Sequence, residues 1–286
     1  MKSNRRNFIK KSSWLVAGTI IMPTFASISK KMPIGLQIYS VREQLKIDFE
    51  GTMKKIAQIG YEQIESYGLG TNGMYFKTMK PAYLKHLVSN LGMKLVSTHC
   101  GYFTYKNADK IIEASLISGV EYLTVPAIPR NMRGNIDHYK KVAENFNKIG
   151  EKCKAAGIKF TYHNHAFEFK KLDGKIPMDT LLKETDADLV FFEADLFWVV
   201  RAGYDPLKLI TENSGRIVMF HVKDGVVGMK QETTVGEGII DFKAIFKAGI
   251  KNGLKHYFIE DERTKNPIAN IKADYNYISK QNFTQL

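Results

Sequence analysis

From Pro33 onward, short apolar runs rich in β-branched and aromatic residues alternate with longer stretches whose apolar positions recur every three or four residues. The first pattern predicts strands and the second amphipathic helices. Strands are predicted at 34–39, 61–67, 93–99, 120–125, 158–165, 188–195, 216–223 and 254–260. Helices are predicted at 48–60, 81–92, 108–119, 137–157, 178–184, 206–212, 241–253 and from 266 to 280. Asp48 stands where a helix cap is needed, and Gly60 and Gly92 stand where helices stop. In the helix at 137–157, Val142, Phe146, Ile149 and Cys153 share one apolar face. Regular alternation of strand and helix implies a parallel sheet. Eight such units in a chain of this length predict an α/β fold, a closed (β/α)8 TIM barrel, as a single domain over 33–286. An open doubly wound sheet would want a Gly-rich phosphate turn after the first strand, and Ile38-Tyr-Ser-Val-Arg42 offers none.

The segment before the barrel has a different character. Asn4-Arg-Arg-Asn-Phe-Ile-Lys10 is a basic stretch with paired arginines, followed by a short apolar run from Trp14 to Phe25. Residues 1–26 resemble a twin-arginine export signal, with Asn4 and Ile9 departing from its usual pattern and Thr24-Phe-Ala26 as a loose cleavage site. The expectation is a periplasmic protein, held to a membrane only if this segment stays uncleaved. The charge then reads differently. Of the net +13, five basic residues fall in the signal, and cleavage leaves +8. The remaining lysines lie mostly on helix faces without an Arg-rich run or basic-aromatic interleaving, which argues against a nucleic-acid partner. A homo-oligomer stays open. Cys100 and Cys153 form no CxxC, and free thiols are the expectation.

Candidate chemistry gathers where apolar runs end on polar residues. The fifth predicted strand ends in His163 and His165, the sixth in Asp195, the seventh in His221 and the eighth in Glu260. Alternation along a strand puts His163 and His165 on one face. In a barrel the carboxyl ends of the strands form the site. Spacings of 32, 26 and 39 residues make each step one βα unit with its loop. Imidazole and carboxylate ends on adjacent strands suit one divalent metal ion, with Mn, Zn, Co or Fe favoured over Mg. Asp195 is followed by the apolar run Leu196-Phe-Trp-Val-Val200, which argues for a cation partner rather than a helix cap. Further candidates are Glu193, one layer below Asp195 and expected to orient His163 or His165, and Lys223, on the face of His221. His99 and Glu65 lie near the mouth, with Tyr39 and Arg42 beyond the first strand. Trp198 and Arg201 are candidate substrate contacts, as is Glu237 in the loop Gly236-Glu-Gly238.

Taken together, Tyr162-His-Asn-His-Ala-Phe-Glu-Phe169, Phe192-Glu-Ala-Asp-Leu-Phe-Trp-Val-Val-Arg-Ala-Gly203, His221-Val-Lys-Asp224, Val235-Gly-Glu-Gly-Ile-Ile-Asp-Phe242 and Phe258-Ile-Glu-Asp261 resemble the xylose isomerase-like barrels, the sugar phosphate isomerase/epimerase superfamily. The resemblance runs from residue 33 to about 280. It implies a metal held by Glu, Asp, His and Glu from strands five to eight. Asp195, His221 and Glu260 match the last three. No Glu ends strand five: His163 aligns as its replacement, and Glu168 is an alternative. The resemblance implies a metal-dependent isomerase or epimerase of a carbohydrate. A base (Glu260, His165 or Glu168) would remove a proton α to a carbonyl, and the metal, helped by Lys223, would stabilise the enediolate. Elimination from a 3-keto-glycoside is the alternative, and export favours a non-phosphorylated substrate. A metal-free barrel that only binds sugar is the third reading.

Overall fold

The computed structural model describes residues 31–284. Its centre is a closed parallel barrel of eight strands. These are β1 (Gly35–Gln37), β2 (Gln63–Leu69), β3 (Lys94–Cys100), β4 (Tyr122–Val125), β5 (Lys159–His163), β6 (Val190–Asp195), β7 (Ile217–Val222) and, after the short hairpin β8 (Asp224–Gly225) and β9 (Glu232–Thr233), β10 (His256–Ile259). Each strand pairs with its sequence neighbour, and β1 closes the ring against β10, with Gly35 opposite Phe258. The (β/α)8 TIM barrel read from hydrophobic periodicity is the observed fold. Among the described residues no helix is long and apolar enough to cross a membrane. Residues 1–26, the expected export signal, lie outside the described residues.

Helix boundaries follow local chemistry. Asp48 caps Phe49–Ile59 by accepting from the Gly51 amide at 2.9 Å, and Gly60 closes it in the left-handed region. On the helix Ile136–Ala155, the stripe of Val142, Phe146, Ile149 and Cys153 is wholly buried. Phe146 meets Phe160 and Tyr162 of β5 at ring-centre distances of 5.1 and 5.3 Å. Burying a side chain of that size contributes about 1.5–3 kcal/mol. Both cysteines are buried free thiols.

The barrel interior is layered, because alternate residues of each strand point inward. Val96, Tyr122, Val218, Met219 and Phe258, with Phe191, form an apolar cluster separate from the main core. Two residues further along four of these strands stand Thr124, Glu193, His221 and Glu260, all buried. A dry plug below and a polar layer at the carboxyl ends therefore follow from strand periodicity alone.

Two predicted features take a different form. β5 ends at His163, so His165 is placed by the following loop rather than by strand alternation. The apolar run after Asp195 is the helix Leu196–Arg201, and Asp195 is its cap, accepting through Oδ1 from the Trp198 amide at 3.0 Å. The hydrophobicity of that run comes from burial of one helical face (Leu196, Phe197 and Val199), which hid the cap. Asp195 has a second oxygen, and that one faces the barrel mouth.

Candidate active site

The four strand-end residues meet. One donor atom from each of His163, Asp195, His221 and Glu260 lies within 4.8 Å of every other, and all four residues are buried. Asn164 helps to set this arrangement. Its carbonyl accepts from the Asp195 amide at 3.1 Å and its amide donates to the Asp195 carbonyl at 3.4 Å, pinning the end of β5 to the end of β6.

The proton inventory shows what such a set can hold. His163 Nδ1 lies 3.3 Å from the Pro126 carbonyl, which can only accept, so Nδ1 carries the hydrogen. In the neutral ring His163 Nε2 is then an acceptor. It faces Asp195 Oδ2 at 3.4 Å; neither atom makes a hydrogen bond of good geometry among the described residues, and Asp195 Oδ2 has the Lys223 ammonium at 3.3 Å. His221 Nδ1 lies 3.0 Å from Glu260 Oε2 and 3.9 Å from Asp195 Oδ2. Buried acceptors that face one another are costly unless a proton or cation lies between them. Donors on one tetrahedral ion with bonds of 2.0–2.1 Å stand about 3.3 Å apart, close to these separations. A divalent ion with nitrogen and oxygen ligands fits the set. The Nδ1–H to carbonyl bond of His163 is the outer support usual for a ligating imidazole.

Without an ion, charge is balanced within the cluster. Burial opposes ionisation of Asp195, His221 and Glu260, and their neighbours outweigh it. Lys223 and His221 hold Glu260 well below the usual carboxylate range, and Lys223 with His163 holds Asp195 at about 2. Against the same desolvation, Glu193, Glu260 and Glu65 hold His221 well above its usual value. Lys223 is buried with its ammonium 2.7 Å from Glu260, 2.7 Å from Glu262, 3.3 Å from Asp195 and 3.9 Å from Glu232.

Beneath this set lies a second layer. His99 Nε2 is 2.8 Å from Glu193 and 3.2 Å from Glu65, and the His99 ring stacks on His221 at 5.3 Å. Glu193, expected to orient His163 or His165, instead pairs with His99 and approaches His221 at 3.2 Å. Glu65 contacts His221 Nε2 at 2.5 Å rather than the cavity surface.

Above the cluster opens a cavity of about 330 Å³, lined by Tyr39, Tyr67, His99, His163, His165, Glu260 and Glu262 with backbone from Gly68, Gly101, Pro126 and Ala127. His165 Nδ1 has no partner among the described residues. Burial first, then the neighbouring His163, pushes the His165 imidazole down to about 3, so it is neutral. Trp198 flanks His165 at 5.6 Å, and the exposed Arg201 lies over the far side of the site on the Trp198 ring, at 5.0 Å. Neither lines the cavity.

Two candidates sit elsewhere. Glu237 is exposed, and its loop serves Asp224 instead. The Asp224 carboxylate accepts from the amides of Gly225, Gly236, Gly238 and Ile240 at 2.8–3.3 Å. A Cβ on Gly238 would lie 2.0 Å from that carboxylate, which explains the glycine. Glu168 turns away from the ligand set. One oxygen accepts from the Tyr162 hydroxyl, the other from the His165 amide at 2.9 Å, so the residue anchors the loop that carries His165. Burial raises its carboxyl to about 8. Unfolded, it ionises near 4.3, so between about pH 4 and 8 each rise in pH costs native stability. Glu168→Gln copies the protonated acid and lacks that slope. Relative to wild type it is expected to gain on the order of 2 kcal/mol between pH 5 and pH 8, read from urea midpoints at both. An equal gap at the two pH values would contradict a buried neutral Glu168.

Five residues in or beneath the site went unnoticed in the sequence: Gln37, Tyr67, Ser97, Glu232 and Glu262. Gln37 carries a signal, since it is a polar residue inside an otherwise apolar run, and Glu262 repeats the alternation of Glu260. Glu232 carries none, because the β8–β9 hairpin brings it in.

A closed parallel barrel with imidazole and carboxylate donors at the carboxyl ends of its strands is the class this geometry defines. The chain belongs to the xylose isomerase-like TIM barrel family, whose model matches residues 53–281. It is 29% identical over 153 residues to an inosose dehydratase of Clostridium perfringens, covering 48% of this chain and 51% of that enzyme. The chain thus spans about half the length of such curated relatives. A sugar phosphate isomerase/epimerase from Parabacteroides distasonis superposes with a TM-score of 0.79 at 26% identity, over 92% of this chain and 98% of that one. Likeness of fold alone extends to the IolI protein with a bound zinc atom, at TM-score 0.68 and 16% identity over 86% of this chain and 96% of that one. It extends also to the 3-keto-D-glucoside 4-epimerase of E. coli, at TM-score 0.66 and 15% identity over 88% and 100%.

Proposed function

We propose that this chain is a metal-dependent enzyme that removes the proton α to the carbonyl of an uncharged keto-sugar or keto-cyclitol and then eliminates the β substituent. The observation that carries this reading is the meeting of His163, Asp195, His221 and Glu260 donors, with His163 Nε2 and Asp195 Oδ2 buried and not hydrogen-bonded, below a cavity that holds a neutral His165. His163, Asp195, His221 and Glu260 would hold one divalent ion, with Mn, Zn, Co or Fe favoured over Mg. When bound, such an ion polarises the carbonyl and offsets the negative charge that develops on its oxygen.

The chain's own groups divide the remaining work. Glu260 is ionised and committed to His221 and Lys223, and Glu168 is committed to Tyr162 and His165. His165 is therefore the base. Its imidazole takes the α-proton, the C–H electron pair moves toward the carbonyl oxygen, and its return breaks the β C–O bond. The departing oxygen takes its proton from the His165 imidazolium or from water. Lys223 keeps the carboxylates charged and in place, and Trp198 walls one side of His165. No Lys or Arg is among the described residues that line the cavity, which favours an uncharged ligand over a sugar phosphate. The twin-arginine-like segment agrees with export to a compartment where such sugars are met. The inosose dehydratase match supports elimination, since loss of water from a keto-polyol starts with the same α-proton.

Isomerase or epimerase action is the second reading, favoured by the likeness to the Parabacteroides distasonis enzyme over nearly its whole length. The two part in D₂O with 3-keto-glycosides and inosose as substrates. Release of aglycone or water with loss of the α-hydrogen, and no deuterium in recovered substrate, supports elimination. Deuterium incorporation with the skeleton intact supports isomerisation. Absence of both from metal-loaded protein on these substrates and on free ketoses would sink the proposal.

A further inference from the structure

The donors beneath the candidate ligand set have their own logic. Gln37 is oriented without ambiguity: its Oε1 accepts from the Tyr39 amide at 3.0 Å, and an amide N–H can only donate. Gln37 Nε2 therefore donates to Glu65 Oε2, at 2.8 Å. The Ser97 hydroxyl lies 2.6 Å from Glu65 Oε1. With Gln37 on one oxygen and Ser97 on the other, Glu65 is held as an acceptor. His221 Nε2, 2.5 Å from Glu65 Oε2, must then carry a hydrogen. That leaves Nδ1, the nitrogen that faces Glu260 and Asp195, as the atom free to ligate.

We infer that Gln37, Glu65 and Ser97 form a positioning relay that fixes the proton of His221 on Nε2, so that one metal ion binds through Nδ1 and none binds in the layer below. This rests on the metal-dependent reading above. Glu65, His99, Glu193 and His221 also bring donor atoms within 4.8 Å of one another. Their closest pairs, His221–Glu65 at 2.5 Å and His99–Glu193 at 2.8 Å, have the lengths of charge-assisted hydrogen bonds. Ligands of one tetrahedral ion stand about 3.3 Å apart, so at these two contacts protons fit and an ion does not. The relay reaches His221 from β1, β2 and β3, strands that supply none of the candidate ligands. Glu65, a candidate substrate contact by its place in the sequence, instead acts through His221.

The experiment uses the full chain and Zn²⁺, with affinity read by competition against a chromophoric chelator. Wild type is expected to bind one Zn²⁺ per chain. Glu65→Leu removes the acceptor and should weaken Zn²⁺ binding about 10–100-fold. Glu65→Gln keeps an acceptor oxygen for His221 and should recover part of that loss. Gln37→Leu frees Glu65 to rotate and should weaken binding several-fold. If Glu65→Leu does not fold, ¹⁵N-histidine spectra of zinc-loaded wild type decide alone, with His221 expected to be protonated at Nε2 and metal-shifted at Nδ1. Wild-type affinity in Glu65→Leu, two Zn²⁺ per chain, or a zinc-shifted Nε2 on His221 would overturn the relay. Wild type that binds no Zn²⁺ at all would instead overturn the metal-dependent reading beneath it.

Discussion

Asp195→Asn is expected to lower kcat/KM by about 10³-fold and weaken metal binding by at least about 100-fold, while the fold survives. The two oxygens of Asp195 do different jobs, and the substitution separates them. Oδ1 caps the helix Leu196–Arg201 through the Trp198 amide. An Asn carbonyl accepts the same bond, so the cap is kept and stability changes by no more than about 1 kcal/mol. Oδ2 lies 3.4 Å from His163 Nε2 and 3.3 Å from the Lys223 ammonium. In the variant an NH₂ group takes its place and donates to that imidazole. Two lone pairs that suited an ion then satisfy each other with a hydrogen bond. The same NH₂ lies where Lys223 had a carboxylate at 3.3 Å, which weakens that pairing as well. Chelator competition and steady-state kinetics on the active substrate test this, with far-UV dichroism to confirm folding. Wild-type metal affinity in a folded Asp195→Asn would remove Asp195 from the ligand set.

Lys223→Met should have the largest effect on stability. The ammonium is buried and shared among Glu260, Glu262 and Asp195, with Glu232 further away. Removing it strands buried carboxylates, which typically costs about 3–5 kcal/mol. The pH dependence has a definite sign. Despite burial, Lys223 is the leading cause that holds Glu260 well below the usual range and Asp195 at about 2. An acid whose folded pKa is depressed stabilises the native state above its unfolded value, near 4, and loses that contribution as pH falls through the folded value. The gap between wild type and Lys223→Met in metal-free protein is therefore widest near pH 7 and narrows below about pH 4. Urea unfolding at several pH values measures it. A gap that is constant with pH would mean that Lys223 serves by packing rather than by charge.

These expectations could be framed because periodicity alone placed most of the scaffold. Eight runs of alternating or wholly apolar residues became eight barrel strands, and their polar last residues had to meet because a parallel barrel brings its strand ends together. What pattern could not convey was side-chain division of labour. The apolar run after Asp195 looked incompatible with a cap, yet the residue caps with one oxygen and faces the ligand set with the other. Glu237, the charged residue of a Gly-rich loop, drew notice, while the loop's amides surround Asp224. Glu168 was counted as within reach of the site on sequence distance. The turn after His165 directs it outward to Tyr162. Gln37 is the reverse case: an ordinary polar residue in β1 whose hydrogen-bond direction sets the direction of a chain running to His221.

Metal analysis of the full chain, purified without a metal-affinity tag and reconstituted with Zn²⁺, Mn²⁺ or Co²⁺, tests the central claim most directly. The geometry of His163, Asp195, His221 and Glu260 predicts one ion per chain in wild type, lost in Asp195→Asn. Protein that is folded and takes up no ion from any of the three would contradict it, and would leave a barrel that binds sugar without turning it over.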